Sequence, residues 1–277
     1  MKILAIETTG LTGSVAVTED GETLATRELP SVQRSAKSLI PSLHELLNEL
    51  TLEVDDLDAI AVAKGPGSFT GLRIGITAAK LLAWGSEKKL IGVDAFDSVV
   101  VELDFEALRA RVGGASSVVA SVGFDAQRGE AATRDYLIKW TSDNKPCVFS
   151  LSNRFQILSF KEWLGRERIA FDFQQSEERL DSVFPQPSQQ EQQAIDVSAP
   201  SFVFCGAILE RVQKKPELTQ GRVLIDSSLK LPRARGVALV AWERARRGLY
   251  DDPWRILPIY SRRSTAEERA LAKGTIE

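Results

Sequence analysis

The chain has 277 residues, 43% hydrophobic and 26% charged, enough apolar material for one large core or two modest ones and too much for a disordered protein. Its formal net charge of -3 excludes a broadly basic nucleic-acid groove and leaves a local basic face, or RNA contact through a partner, as the alternatives. No run approaches about 18 apolar residues and no signal-peptide pattern follows Met1-Lys2, so a cytoplasmic protein without a membrane span is expected.

Ile3-Leu4-Ala5-Ile6 reads as a strand buried on both faces, and Glu7-Thr8-Thr9-Gly10 as a polar turn. Ser14–Val17 is a second strand, Asp20-Gly21 a hairpin signal and Leu24–Leu29 a third strand. From Ser35 to Leu50 the period changes to that of a helix, with Leu39, Leu43, Leu46, Leu47 and Leu50 on one stripe. Ala59–Ala63 is a further strand. The run Gly65-Pro-Gly-Ser-Phe-Thr-Gly71 then leads into a small-residue helix at Leu72–Trp84. Leu90–Val93 reads as a strand and Phe96–Arg109 as one helix.

After Gly113-Gly114 the pattern restarts with strands at Val118–Phe124, Ala131–Trp140 and Cys147–Leu151, which suggests a second domain from about residue 110. Gln174–Pro200 is biased in composition and reads as a surface insertion with some helix. Phe202–Cys205 is a buried strand, Pro232–Arg247 a helix, Pro258–Tyr260 extended and Thr265–Lys273 a short charged helix.

The turn from Lys64 to Gly75 is the most informative segment. Glycines permit positive φ and close approach, and the helix that follows offers unpaired amides, so the turn suits a phosphate. It also suits a tight turn that packs a small-residue helix closely on a strand. It is neither G-x-G-x-x-G nor a P-loop, because Lys64 precedes the loop. Ser68 reads as a turn or helix-cap hydroxyl and not as a nucleophile. Glu7, Thr8, Thr9 and Ser14 form a polar patch able to hold magnesium or phosphate-linked water, or to serve as a plain hairpin loop.

His44 is the sole histidine, so no two-histidine or three-histidine metal centre can be built from this sequence. Cys147 and Cys205 lie far apart in apolar runs and read as small buried hydrophobes. Asp94 with Asp97, and Asp125 with Glu130, are carboxylate pairs expected at the surface. Arg233, Arg235, Arg244, Arg246, Arg247, Arg262 and Arg263 concentrate positive charge late in the chain, as a solvated face or a docking face.

Taken together, Ile3-Leu-Ala-Ile-Glu-Thr-Thr9, Ser14-Val-Ala-Val17, the run from Ala59 through Gly65-Pro-Gly-Ser-Phe-Thr-Gly-Leu-Arg-Ile-Gly75, and Gly92-Val93 resemble the bacterial TsaB (YeaZ-like) family. Phe124-Asp-Ala-Gln-Arg-Gly-Glu130 and Pro258-Ile-Tyr-Ser-Arg262 extend the likeness, which is strong to about residue 100 and looser beyond. The resemblance implies an accessory subunit of tRNA threonylcarbamoyladenosine (t6A) biosynthesis. It implies an ASKHA fold, α/β and related to actin, hexokinase and Hsp70, with two ribonuclease-H-like units and mixed central sheets. The units expected are residues 1–108, with a C-terminal helix available to complete them, and residues 109–277, carrying the Gln-rich insertion near 174–200.

The implied role is non-catalytic: binding and activating a TsaD-like threonylcarbamoyltransferase that modifies adenosine 37 of tRNA, alongside a TsaE-like ATPase. Contact with tRNA is expected mainly through the complex, with a homodimer as an option for the isolated chain. The implied partner face is the helix pair at about 35–50 and 72–84, with Leu39, Leu43, Leu46, Ile74, Ala78 and Leu82 as candidates. Glu7, Thr8, Thr9, Gly65, Gly67, Ser68 and Gly71 stand as vestigial nucleotide or phosphate contacts, with no cofactor required of this chain and no metal ligand or catalytic residue assigned.

Several positions depart from the family pattern: Glu7 replaces an aspartate, the segment before the leucine-rich helix lacks a histidine, and Phe204-Cys-Gly-Ala207 is a thin remnant of an adenosine cradle. An independent Mg-ATP-binding ASKHA enzyme, an ATPase or small-molecule kinase using Glu7, is the competing reading.

Overall fold

The computed structural model describes residues 1–10, 12–30, 36–141, 143–152, 154–166, 201–224 and 233–262. The Gln-rich segment and the Thr265–Lys273 helix lie outside the described residues.

The first sheet is built from β1 (Lys2–Glu7), β2 (Ser14–Glu19), β3 (Glu22–Glu28), β4 (Ala59–Gly65) and β5 (Lys89–Asp94) in the order β3-β2-β1-β4-β5. β1 and β2 pair antiparallel, as do β2 and β3, whereas β1, β4 and β5 run parallel. The Asp20-Gly21 turn closes the β2–β3 hairpin with both residues at positive φ, 51° and 86°. That is the conformation an Asp-Gly hairpin turn requires.

Strand alternation then divides the sheet into two faces. Leu4, Ile6, Val15, Val17, Ile60 and Val62 meet α1 (Ala36–Glu49) and α2 (Phe69–Gly85) on one face. Ile3, Ala5, Ala16, Ala61, Ile91 and Val93 form the other face.

The long helix expected over 96–109 is two helices, α3 (Ala95–Val100) and α4 (Phe105–Arg111). Asp104 Oδ1 accepts from Ala107 N at 2.9 Å and caps α4, while Asp94 Oδ1 accepts from Phe96 N at 3.0 Å and caps α3. Each cap, buried at Asp94 and exposed at Asp104, satisfies a first-turn amide, a contribution of about 1 kcal/mol that favours a new helix start at each aspartate.

The second sheet contains β6 (Ser117–Asp125), β7 (Glu130–Trp140), β8 (Pro146–Ser150), β9 (Gln156–Ser159), β10 (Ser201–Cys205) and β11 (Val223–Leu224). Its order is β11-β10-β6-β7-β8, with β9 also pairing β7. β6 runs antiparallel to β7 and parallel to β10, which runs parallel to β11. Counted from its own first strand, and leaving out β9, this sheet repeats the 3-2-1-4-5 order of the first.

The outer face of the second sheet packs on α5 (Phe160–Leu164) and α6 (Leu209–Val212), next to α7 (Pro216–Thr219). The Trp163 indole, fully buried there, donates to Ser121 Oγ at 2.7 Å, satisfying its one polar atom.

One apolar core joins the inner faces of both sheets. It takes Val118, Ala120, Val122 and Phe124 from β6, Phe96 and Val99 from α3, and Val237, Ala238 and Ala241 from α8 (Ala234–Arg246). α8 lies late in the chain yet packs on β1, β2, β4 and β5 of the first sheet and on α3. Gly236 makes this approach possible, since a Cβ there would overlap the Ser98 carbonyl.

Beyond α8, residues 249–262 form an arm, with a turn at 253–255, that lies along β5, the edge strand. Asp251 N donates to Leu90 O at 2.8 Å, Gly92 N donates to Asp251 Oδ2 at 2.7 Å, and Ile259 N donates to Lys64 O at 2.6 Å. The arm thus covers part of an edge that would otherwise present open amides and carbonyls.

Candidate functional site

The glycine-rich turn has a specific local geometry. Gly65 has φ 111°, a conformation that favours glycine, and its missing Cβ leaves room for the Ile259 carbonyl of the arm. Ser68 is the N-cap of α2, its Oγ accepting from Gly71 N at 3.3 Å. Ser68 N donates to Thr9 O at 2.8 Å, and Thr8 Oγ1 donates to Gly71 O at 2.8 Å. A Cβ on Gly71 would overlap the Thr8 carbonyl, one on Gly75 would overlap Thr8 Oγ1, and one on Gly67 would overlap Thr9. The missing side chains are therefore filled by the chain itself. The glycines let α2 dock against the β1–β2 turn.

Glu7 ends β1 and is fully buried. Its Oε1 accepts from Thr9 N, Thr9 Oγ1 and Gly10 N, while its Oε2 is buried with no hydrogen-bond partner. Burial pushes the carboxyl up to about 7, against the opposing pull of the Thr9 and Gly10 bonds. The register places Ser14 opposite Glu7, and Ser14 Oγ accepts from Ala234 N at 2.9 Å, where α8 begins.

A resident magnesium–nucleotide does not fit these residues. One Glu7 oxygen is occupied by three donors, the other is sealed in protein, and the space beside the glycines is taken. Among the described residues no group of three or more His, Cys, Asp and Glu side chains comes together. His44 is exposed on α1, beside the Asn48 amide at 3.1 Å.

The carboxylate pair Asp94 and Asp97, expected at the surface, lies inside. Arg134 of β7 reaches across from the second sheet, Nη2 3.0 Å from Asp94 Oδ2 and Nη1 3.7 Å from Asp97 Oδ1. Tyr136 OH donates to Asp97 Oδ1 at 2.7 Å. Periodicity gave no sign of this, because the aspartates close one sheet and the arginine belongs to the other. The other pair is divided, with Asp125 meeting Arg211 and Glu130 meeting Arg262. The late arginines are also engaged: Arg235 faces Glu102, Arg244 faces Asp251, and Arg246 and Arg247 face Glu243. They do not make a free basic face, and Arg263 lies outside the described residues.

On the helix pair, three of the six candidate interface residues belong to the core. Leu39, Leu43 and Leu46 are buried against the sheet and are not available to a partner in this conformation. The leucine period that marked the helix marks its inward stripe. Ile74, Ala78 and Leu82 are half-buried along the flank of α2. Facing outward are Ile40 on α1 and, on α2, Phe69, Arg73, Thr77, Leu81 and Trp84, spaced at helical intervals. The arm adds Trp254 and Leu257, also exposed.

A family model described as TsaD, tRNA N6-adenosine threonylcarbamoyltransferase, matches residues 30–269. The "tRNA threonylcarbamoyladenosine biosynthesis protein TsaB" of Bacillus subtilis is 35% identical over 139 residues, covering 50% of this chain and 56% of that protein. The protein of the same description from Escherichia coli is 37% identical over 136 residues, covering 49% of this chain and 55% of its own length. The chain belongs to this family, in its TsaB (YeaZ) branch.

The chain spans about half the length of the curated TsaB relatives it matches. A solved structure described as YeaZ from Pseudomonas aeruginosa covers 94% of this chain and 99% of that chain at 23% identity, with a TM-score of 0.60. At that identity the likeness concerns the fold, which is the ASKHA-type α/β architecture expected for a TsaB-family chain. Among the described residues no helix of this TsaB-family chain is long and apolar enough to cross a membrane.

Proposed function

We propose that this TsaB-family chain is a non-catalytic, cytoplasmic partner that binds and activates a TsaD-like threonylcarbamoyltransferase in the modification of adenosine 37 of tRNA. The observation that carries the reading is the match to two proteins described as TsaB threonylcarbamoyladenosine biosynthesis proteins. It is supported by a glycine-rich turn closed on its own chain. Glu7, Thr8, Thr9, Gly65, Gly67, Ser68 and Gly71 are, on this reading, inherited nucleotide-fold architecture that now holds α2 in place.

The same reading takes the fold as two ribonuclease-H-like units, residues 1–108 completed by α8 and residues 109–277 with the insertion near 174–200. The repeated strand order and the seat of α8 on the first sheet support that division. A TsaE-like ATPase joins the complex, tRNA is met mainly through the complex, and the exposed helix face gives the isolated chain a route to a homodimer.

Reconstitution tests the proposal. Mixing the full chain with its cognate TsaD-like protein should give a stable complex and raise threonylcarbamoyladenosine formation above that of the TsaD-like protein alone. Absence of both complex and stimulation would end this reading.

A further inference from the structure

The two sheets meet through contacts of two kinds. The apolar core draws on both, with Phe96 of α3 meeting Phe124 of β6 edge-on at 5.0 Å. Apolar burial follows area and carries little direction. Such a core therefore tolerates a small slide or rotation of one sheet against the other.

The polar contacts are directional. Arg134 and Tyr136 stand two apart on β7 and share one of its faces. Asp94 is the N-cap of α3, and Asp97 lies in the first turn of the same helix. Arg134 Nη2 lies 3.0 Å from Asp94 Oδ2 and Nη1 lies 3.7 Å from Asp97 Oδ1, while Tyr136 OH donates to Asp97 Oδ1 at 2.7 Å. Asp94 serves both sides: its Oδ1 accepts from Phe96 N and its Oδ2 faces the second sheet. Lys64, half-buried at the end of β4, also acts on both carboxylates. It belongs to the first sheet, so it offsets their charge without spanning the junction.

The side chains of Arg134, Asp94 and Asp97 are 8%, 10% and 16% exposed, so a partner lost here is poorly replaced by water. A slide of the second sheet by about 3.4 Å, one residue along a strand, would keep much of the apolar area covered. It would carry Arg134 and Tyr136 out of hydrogen-bonding reach of both aspartates and strand the charges. A slipped arrangement is thus opposed by the polar groups far more than by the core. Buried ion pairs contribute little net stability compared with well-packed apolar residues of similar volume, and their best-attested use is to select one arrangement among several.

We infer that Arg134, Tyr136, Asp94 and Asp97 form an orientation latch: the apolar core supplies the cohesion between the two sheets, and these four side chains fix their register and angle. The latch concerns the two sheets of the fold and stands apart from the partner reading above.

The test separates cohesion from orientation in the full chain. Spin labels at His44→Cys on α1 and Ile157→Cys on β9, both exposed positions, report the distance between the sheets by pulsed electron resonance. Cys147 and Cys205 are replaced by alanine, and excess unlabelled chain ensures that only distances within one molecule are read. The unlatched variant combines Asp94→Ser, which keeps a capping hydroxyl, with Asp97→Leu, Arg134→Met and Tyr136→Phe. Its urea midpoint should stay close to that of the latched chain, while the width of the distance distribution at least doubles. Arg134→Lys with Tyr136→Phe keeps the cation and loses the fork that spans both carboxylates, and should broaden the distribution as well. A distribution unchanged in both variants would overturn the latch. Failure of the fourfold variant to fold would overturn the assignment of cohesion to the core. Two resolved distances in the chain with all four residues intact would show that these side chains fix no single angle.

Discussion

Arg134 Nη2 and Asp94 Oδ2 lie 3.0 Å apart across the junction of the two sheets, one residue from β7 and the other from the end of β5. Asp97 and Tyr136 complete the cluster, and the Arg134 guanidinium also lies over the Phe96 ring at 5.1 Å. Burial, with Asp94 beside it, pushes the Asp97 carboxyl up to about 7, while Arg134 is held firmly charged by the acids around it. Removing Arg134 leaves two largely buried carboxylates with Lys64 as the remaining cation acting on them.

Arg134→Met should therefore cost about 3–5 kcal/mol, the usual penalty for breaking a buried pair. Urea unfolding of the purified chain measures it. A loss under about 1 kcal/mol would mean that the apolar core joining the sheets holds them without the charges. Asp97→Asn should cost less, because a carboxyl lifted to about 7 is already partly protonated at neutral pH.

Two glycines at opposite ends of α2 should respond to alanine with opposite signs. Alanine is favoured over glycine in a helix by about 1 kcal/mol. At Gly71 the added methyl meets the Thr8 carbonyl, which no rotamer change can relieve, so overpacking of about 1–3 kcal/mol outweighs the propensity gain. At Gly85 a Cβ meets nothing within 4 Å, so Gly85→Ala should raise stability by a few tenths to about 1 kcal/mol. Thermal melts of the two variants read the difference directly.

Glu7 should make stability fall as pH rises. Its folded-state value of about 7 exceeds the ordinary 4.5, so between those values the folded chain binds more protons than the unfolded chain. The contribution is fully present below about pH 4.5 and is lost as pH passes through about 7, a change on the order of 3 kcal/mol. Glu7→Gln should flatten the slope over that window without abolishing it, because buried Asp97 and Glu102 are raised to about 7 as well. Denaturation from pH 4.5 to 8 compares the two chains; parallel slopes would show that Glu7 ionises freely.

Core and surface positions on the helix pair should separate cleanly. Leu46→Ala empties a fully buried site and should cost about 2–5 kcal/mol of stability. The folded fraction should still bind its partner with affinity changed less than about twofold, since distant sites without shared contacts act independently. Loss of affinity in well-folded Leu46→Ala protein would return the inward stripe to the interface.

The sequence by itself determined the elements whose signals are local. Strands β1, β2 and β4 follow from continuous apolar runs, the hairpin from Asp20-Gly21, and helix α1 from its leucine period, whereas α2, expected from Leu72, begins three residues earlier at Phe69 behind the Ser68 cap. The glycine-rich run carried enough detail to mark the family. Only the tertiary structure decided what those elements face. A leucine period marks the side that is buried, so Leu39, Leu43 and Leu46 went to the core while the outward residues of α2 carried no period to follow.

Asp94 and Asp97 came to lie against Arg134 because two sheets close on one core, a relation between positions 40 residues apart for the first pair and not encoded in either neighbourhood. The arm shows the same limit. Trp254 and Leu257 become part of a helix face only because Tyr260 and Trp254 clasp α2, and pairing across nearly two hundred residues is fixed by packing and not by local pattern.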